Sequence, residues 1–423
     1  MTQDLIVSSL PNGLRIVLRE LHTAPIVSTF MWYRVGSRNE GEGLTGVSHW
    51  VEHMLFKGSK RYPKGSIMQL VDRHGGEANA MTSRDFTAYY ETLPSSQVEL
   101  ALDIESDRMT GALFDPAEIE SERTVVIAER EGSENEPRYM LHEALVATAF
   151  QQHPYHHQVI GWKADLQAIT RDELYAHYRR YYSPNNAILV MAGDFDADQM
   201  LSMIGDKFGA LSAGELPAER IRTEPDQRGE RRVLLHMAGG MPSVQVAYRT
   251  PAVSDPDYMP LVILNSVLTG GSAPFHGAGT LARSARLYRA LVDTELASAV
   301  SSSYQDSLDP YLLILGAIPR KEHTPAEVEQ ALKQVVQRLR EELISEAELH
   351  SAIRQTSAQL AYANERVRNQ ALSLGLLSIV DQPERLMNIM EELAAVTPES
   401  VQRAAQRYLV DDRCITGIFE PEV

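Results

Sequence analysis

The chain starts twice. The stretch "STFMWYRVGS" at residues 28–37 has a counterpart in "SVQVAYRTPA" at 243–252, which sets Tyr33 and Arg34 against Tyr248 and Arg249. A second pair follows, "RRYYSPNNAILVMAGDFD" at 179–196 against "AQRYLVDDRCITGIFEPE" at 405–422, with Tyr182 opposite Tyr408. Such spaced echoes suggest a duplicated structural unit. A length of 423 residues is enough for two such units, each with its own core. Between them, residues 213–232 read "AGELPAERIRTEPDQRGERR", charged, punctuated by Pro and Gly and without periodicity, as expected of a linker. The sequence therefore predicts a domain over 1–212, a linker over 213–232 and a duplicate over 233–423.

Within the first copy, "LIVSSL" and "LRIVLREL" flank Pro11-Asn12-Gly13, and Asn-Gly between apolar runs predicts a hairpin. "IVSTFMWYRVGS" reads as a third strand, "SIMQLVDRHGG" as a short helix and "EANAMTSRDFTAYYETLP" as a strand pair. Helical patterns fill most of 96–180, and "NAILVMAGDFD" closes the unit as a strand. Strands and helices do not alternate regularly. The expected class is α+β, with a mainly antiparallel sheet flanked by helices in each domain.

The chemistry gathers in "GVSHWVEHMLFKGS", residues 46–59. On a helix His49 and His53 project from one face, one turn apart, with Glu52 beside them. Leu44, Val47, Trp50, Val51, Met54 and Leu55 supply an apolar surface that carries this polar trio into the domain. Two neutral imidazoles on one turn form half of a zinc site, and a neighbouring carboxylate can take a proton from water. The order H-x-x-E-H is the inverse of the commoner zinc-protease order. The structural alternative is two helix histidines paired with a glutamate. In the second copy, the same register places Leu264, Val267 and Leu268 at the positions of His49, Glu52 and His53, so no metal site is expected there.

Charge and cysteine content narrow the field. A formal net charge of −17 argues against nucleic acid and an anionic membrane as partners, and it favours basic ligands. The single cysteine, Cys414, rules out an intrachain disulfide and a cysteine-rich zinc knuckle; it reads as a buried strand residue. The start of the chain shows no basic region followed by a long apolar core, and no run of about 18 uncharged apolar residues occurs. A cytoplasmic, non-membrane protein is the expectation.

A catalytic zinc takes three protein ligands, so His49 and His53 need a third, which must be His, Asp or Glu. The acidic stretch "DPAEIESERTVVIAEREGSENEP" offers several glutamates, most of them a solvated face. Glu122 and Glu129 stand out because seven residues span two turns and put both carboxylates on one side of a partly apolar helix.

The chain is similar over nearly its whole length to the pitrilysin/insulysin zinc peptidases, the family that includes mitochondrial processing peptidase. There, H-x-x-E-H is followed about 76 residues later by a glutamate ligand within E-R-x-x-x-x-x-E. Here His53 and Glu129 are 76 residues apart and "ERTVVIAE" runs from Glu122 to Glu129. The resemblance implies His49, His53 and Glu129 as ligands of one zinc, Glu52 as general base, and Glu122 as a supporting residue of the catalytic site. "GGEANAMTSRDFTAYYETL" is similar to the family segment whose edge strand receives substrate backbone, which implies Asn79, Ala80 and Thr82 as substrate-binding. Gly75 and Gly76 are equally compatible with a helix stop. "QQHPYHHQVIGW" carries His153, His156 and His157; Pro154 argues against regular ligand spacing, and a structural or substrate-lining role is expected.

One family feature is missing. Catalytic assemblies of this family carry an Arg and a Tyr seven residues apart, which clamp substrate from the opposite half of the chamber. The matching stretch, "LVDTELAS", has Leu291 and Ser298 instead. Arg286, Tyr288, Arg289 and Tyr304 lie nearby without that spacing. The expectation is a zinc endopeptidase acting on peptides or unfolded segments, forming half of a clamshell with a sister subunit that supplies the pair. Two rival classes remain, a non-catalytic subunit of a larger complex and a zinc hydrolase of small molecules.

Overall fold

The computed structural model describes residues 5–218, 221–271, 273–275 and 281–422. Two compact units divide them.

The first unit holds a six-stranded sheet in the order β1-β2-β6-β3-β5-β4. Its strands are β1 (Leu5–Ser9), β2 (Arg15–Glu20), β3 (Ile26–Tyr33), β4 (Glu77–Thr82), β5 (Thr87–Pro94) and β6 (Ala187–Gly193). All neighbours pair antiparallel except β2 with β6. The hairpin β1-β2 turns at Gly13, whose φ of 89° suits glycine, and the Asn12 amide donates to the carbonyls of Phe208 and Leu211. Packed with the sheet are α1 (Val47–Met54), α2 (Ser66–Arg73), α3 (Val98–Gly111), α4 (Pro116–Glu134), α6 (Lys163–Ala168), α7 (Arg171–Tyr181) and α8 (Ala197–Phe208). The core gathers Tyr33, Trp50, Tyr89, Tyr178 and Tyr182 with aliphatic residues of β2, β3 and β6.

The second unit repeats the plan with five strands in the order β7-β11-β8-β10-β9. These are β7 (Arg231–Met237), β8 (Ser243–Thr250), β9 (Ala297–Tyr304), β10 (Tyr311–Pro319) and β11 (Cys414–Pro421), with only β7 and β11 parallel. Tyr33 pairs with Ala187 on β6, and Tyr248 pairs with Cys414 on β11, so the sequence echoes occupy equivalent strands. The helix α9 (Tyr258–Thr269) is buried along its whole length. Leu264, Val267 and Leu268 lie on it as hydrophobic core, and Cys414 is buried as well. The remaining helices of this half are α10 (Pro325–Glu341), α11 (Glu346–Ala363), α13 (Arg385–Ala394) and α14 (Pro398–Tyr408).

Two segments depart from a contiguous division of the chain. Residues 132–156, with α5 (Pro137–Ala149), belong to the second unit, where α5 packs on β7, β8 and β11. Residues 365–384, with α12 (Val367–Val380), belong to the first, where α12 packs on β3 and β6. Each unit thus covers one sheet face with a helix from the other half of the sequence. Of the expected linker 213–232, residues 219–220 lie outside the described residues; on either side of them Asn185 exchanges hydrogen bonds with Gly214 in the first unit, and Glu224 accepts the backbone N–H groups of Gln151, Gln152 and His153 in the second. Among the described residues no helix is long and apolar enough to cross a membrane.

Candidate metal centre

The helix α1 is eight residues long, and its entry is fastened from several directions. Gly46 starts it at φ 88°, a conformation suited to glycine, and an added Cβ there would sit 2.4 Å from the Ile160 carbonyl oxygen. The Glu40 carboxylate accepts the N–H groups of Gly46 at 2.9 Å and Ser48 at 2.8 Å, which would otherwise lack partners at the helix start. Asp165 accepts from the N–H and hydroxyl of Thr45. Val47, Trp50, Val51 and Met54 are buried, as the apolar periodicity requires.

This anchoring presents His49, Glu52 and His53 together. The imidazoles are 4.6 Å apart between centroids. Glu129, on the half-exposed side of α4, places Oε2 4.0 Å from Nε2 of His49 and 3.7 Å from Nε2 of His53. Two turns earlier on α4, buried Glu122 is 2.9 Å from Nδ1 of His53 through Oε1, and 2.5 Å from Nζ of Lys57 through Oε2. On the edge strand β4, the Thr82 hydroxyl donates to Oε2 of Glu52 at 2.5 Å.

The three residues offer one ligand atom each within 4.8 Å of one another, and among the described residues no other His, Cys, Asp and Glu group of three meets that condition. Ligand atoms about 2.0–2.2 Å from a tetrahedral zinc lie roughly 3.3–3.6 Å apart, so separations of 3.7 and 4.0 Å leave room for the ion with little adjustment. The donor set, two imidazole nitrogens and one carboxylate, is one that catalytic zinc uses. Burial, reinforced by His53, pushes the His49 imidazole down to about 4, which keeps it neutral. Burial also opposes charge on His53, but the bond to Glu122 and the Glu129 and Glu52 carboxylates outweigh it and raise the group. The Glu122 interaction fixes Nδ1 as the donor and leaves Nε2 for a metal. These residues fit a zinc ion.

Burial raises the Glu52 carboxyl, while the Thr82 bond works the other way. For Glu122 the order reverses: burial would raise it, but His53 and Lys57 hold it below the usual carboxylate range.

Asn79 and Ala80 lie on β4, which is the last strand of its sheet. Asn79 is exposed and its side-chain oxygen accepts from the Ala80 N–H. The histidine cluster divides. His153 is buried, 3.1 Å from Asp309, and His156 bonds the His153 carbonyl, both in the second unit. His157, in the first, stands 3.8 Å from Glu40 and bonds the Gln158 carbonyl. None of them joins the metal group.

Sequence reasoning missed Glu40, Lys57 and Asp165. Each acts through a fold contact rather than a motif, although an acid six residues before a glycine-started helix is a weak capping signal. In the second unit, Leu291 is buried in the helical turn Tyr288–Val292, and Ser298 is exposed on β9 with its hydroxyl bonded to the Ile318 carbonyl. Arg286 pairs with Glu348 at 2.9 Å, and Tyr304 is largely buried with its ring 5.6 Å from that of Tyr258.

The family model for insulinase, peptidase family M16, matches residues 15–162, and the model for the M16 inactive domain matches residues 168–356. The uncharacterized zinc protease YmxG of Bacillus subtilis is 27% identical over 416 residues, covering 96% of each chain. An uncharacterized zinc protease of Mycobacterium leprae, ML0855, is 32% identical over 266 residues, which is 62% of this chain and 60% of that one. The crystal structure of a protease from Helicobacter pylori superposes with a TM-score of 0.91 at 26% identity, covering 99% of this chain and all of that one. By both halves of its sequence and by its fold, the chain belongs to the insulinase-like peptidase family M16.

Proposed function

We propose that this chain is a zinc-dependent endopeptidase, the catalytic subunit of a heterodimer, hydrolysing peptides or unfolded segments with one zinc per chain. The observation that carries this reading is the convergence of His49, His53 and Glu129 beside the Glu52 carboxylate, which is held by the Thr82 hydroxyl at the end of an edge strand.

A zinc ion on these three ligands would supply a Lewis acid that polarises the scissile carbonyl. The residues do the rest. Glu52 takes a proton from the attacking water and delivers it to the leaving amine. The Thr82 hydroxyl holds Oε2 of Glu52 and leaves Oε1 for that exchange. Glu122, itself fixed by Lys57, orients His53. The edge strand β4 accepts a substrate strand through backbone hydrogen bonds near Asn79, Ala80 and Thr82, so side-chain selectivity is broad.

A second reading, a non-catalytic structural or peptide-binding subunit, draws on Leu291 and Ser298 standing where an Arg and a Tyr would act. The test is elemental analysis of the purified chain combined with a mixed peptide library. One zinc per chain, lost in His49→Ala and His53→Ala, with cleavage abolished by a chelator, supports the peptidase. Full zinc in both variants overturns the ligand set. Zinc without cleavage under any pairing supports the second reading.

A further inference from the structure

The two sheets differ most informatively on the face that receives the exchanged helix. With Tyr33 set against Tyr248, strand pairing carries the comparison across each sheet. Phe30 pairs with Tyr90 and Tyr90 with Asn79 in the first unit; Gln245 pairs with Gly316 and Gly316 with Ser301 in the second. One row along, Thr92 pairs with Glu77, and Ile318 pairs with Ala299. Tyr90 is therefore replaced by Gly316, Phe30 by Gln245 and Glu77 by Ala299.

The covering helices correspond equally well. Arg368 is the second residue of α12 and Arg138 the second of α5. Seven residues on, Gly375 meets Trp32, and Leu145 clusters with Ala247, the equivalent of Trp32.

In the first unit Arg368 is fully engaged. Its Nη1 is 3.3 Å from the Glu77 carboxylate and donates to the Tyr90 hydroxyl at 3.1 Å, with the guanidinium 5.4 Å from the Tyr90 ring centre. Phe30 stacks on that ring at 4.8 Å. In the second unit the carboxylate and both rings are gone. What remains is a cleft of about 250 Å3 lined by Arg138 and His142 of α5 and by residues of β8, β9 and β10, including Gln245, Ser301 and Gly316.

Three features of the cleft point to a ligand. Among the described residues no Asp or Glu lines it, in a chain where acids outnumber Lys and Arg by 57 to 40. Arg138 makes no hydrogen bond or ion pair among the described residues, although a guanidinium carries five donors. Among the described residues the hydroxyl of Ser243, a residue only 4% exposed, is buried without a hydrogen-bond partner, and so is the side-chain oxygen of Gln245. The equivalent of Ser243, Ser28, bonds Thr92 in the first unit; Ile318 replaces that partner here. Buried polar atoms left in this state cost stability unless something satisfies them.

We propose that this cleft binds the free carboxylate end of a peptide whose last residue is aromatic or large and apolar. The ligand's carboxylate takes the place of Glu77 on Arg138, and its side chain lies beside Ser301, whose hydroxyl sits over Gly316, in the space that the Tyr90 and Phe30 rings fill in the first unit. Below the usual size of small-molecule pockets, the volume suits one residue rather than a larger molecule. An Arg presented to a planar carboxylate is the favoured geometry for such recognition.

The probe is N-acetyl-L-phenylalanine, titrated by isothermal calorimetry into the full chain, with N-acetyl-L-phenylalanine amide and inorganic phosphate as comparisons. The acid is expected to bind saturably and at least ten-fold more tightly than either comparison. Arg138→Gln removes the cation, and Ala299→Glu restores an internal carboxylate for it; both positions are exposed, and each variant is expected to lose at least ten-fold in affinity with an unchanged circular dichroism melt. Equal binding of acid and amide, or full affinity in Arg138→Gln, overturns the proposal. Phosphate binding as tightly as the acid reduces the cleft to a general anion site and overturns the assignment to a peptide end. Binding that disappears when metal is removed beforehand places the ligand elsewhere and also overturns it. Retention by the metal-free chain keeps the result independent of whether the protein hydrolyses peptides.

Discussion

Glu52 and Glu122 are carboxylates of one unit with different surroundings. Among the described residues Glu52 has one hydrogen-bond partner, the Thr82 hydroxyl, and burial raises its carboxyl; Glu122 is tied to His53 and Lys57 and held low. A group meant to exchange protons needs a free oxygen, and a group meant to orient a ligand needs none. Glu52→Gln is therefore expected to retain zinc while hydrolysis falls by about 100-fold or more. Glu122→Gln should weaken zinc about 10–100-fold and recover much of its activity when zinc is saturating. Zinc titrations and turnover of both variants separate the roles, and the opposite pattern would exchange them. The helical spacing of His49, Glu52 and His53 was legible in the sequence because the motif is local. The partners Thr82 and Lys57 were not: Thr82 reaches Glu52 across 30 residues, and the Lys57 to Glu122 pair depends on how α1 meets α4.

The histidine-bearing helix α1 is too short to hold its conformation unaided, and Glu40 ties down its first turn. Replacing Glu40 by Ala should cost about 1 kcal/mol or more through lost capping and should weaken metal retention along with stability. Burial pushes the Glu40 carboxyl up to about 8, against the pull of its backbone donors. An acid whose folded value lies above its unfolded value binds more protons folded than unfolded, so its contribution to stability falls as pH rises from about 4.5 to about 8. Glu40→Gln removes that titration. Its urea-unfolding free energy should change less between pH 5 and 8 than that of the parent, and parallel curves would refute the assignment. On the opposite sheet face, a Cβ at Gly375 would lie 2.1 Å from the fully buried Trp32 ring. Gly375→Ala should destabilise by about 1–3 kcal/mol, overriding the better helix propensity of Ala, and urea unfolding of that variant measures it. The strands were readable because alternation and the Asn12-Gly13 turn are local signals. The exchange of α5 and α12 was not, since the apolar face of a helix records that it is covered and not by which half of the chain.

At the scale of the molecule the duplication explains what each unit lacks. The first copy carries two of the three candidate metal ligands on α1; the second has buried apolar residues at the same positions on α9. At its edge strand the second copy also offers a buried Leu291 and an exposed Ser298, neither of which can hold charge or stabilise an oxyanion strongly. In the four-domain clamshell implied by the resemblance to processing peptidases, an Arg and a Tyr from the opposite half act on the substrate. A homodimer of this chain would present Leu291 and Ser298 in that role. We therefore propose a heterodimer, with a sister chain of similar length that carries the Arg and Tyr. The isolated chain should bind zinc yet turn over peptides slowly, because loss of such polarising donors costs about 100-fold or more in rate. Turnover per zinc, measured for the lone chain and after mixing with a candidate sister chain, tests this directly. A gain of that order, lost when the sister's Arg or Tyr is replaced, supports the assembly. Full activity of the lone chain, unchanged by any partner, refutes it and turns attention to Tyr288, Tyr304 or a neighbouring Arg on this chain's own second unit.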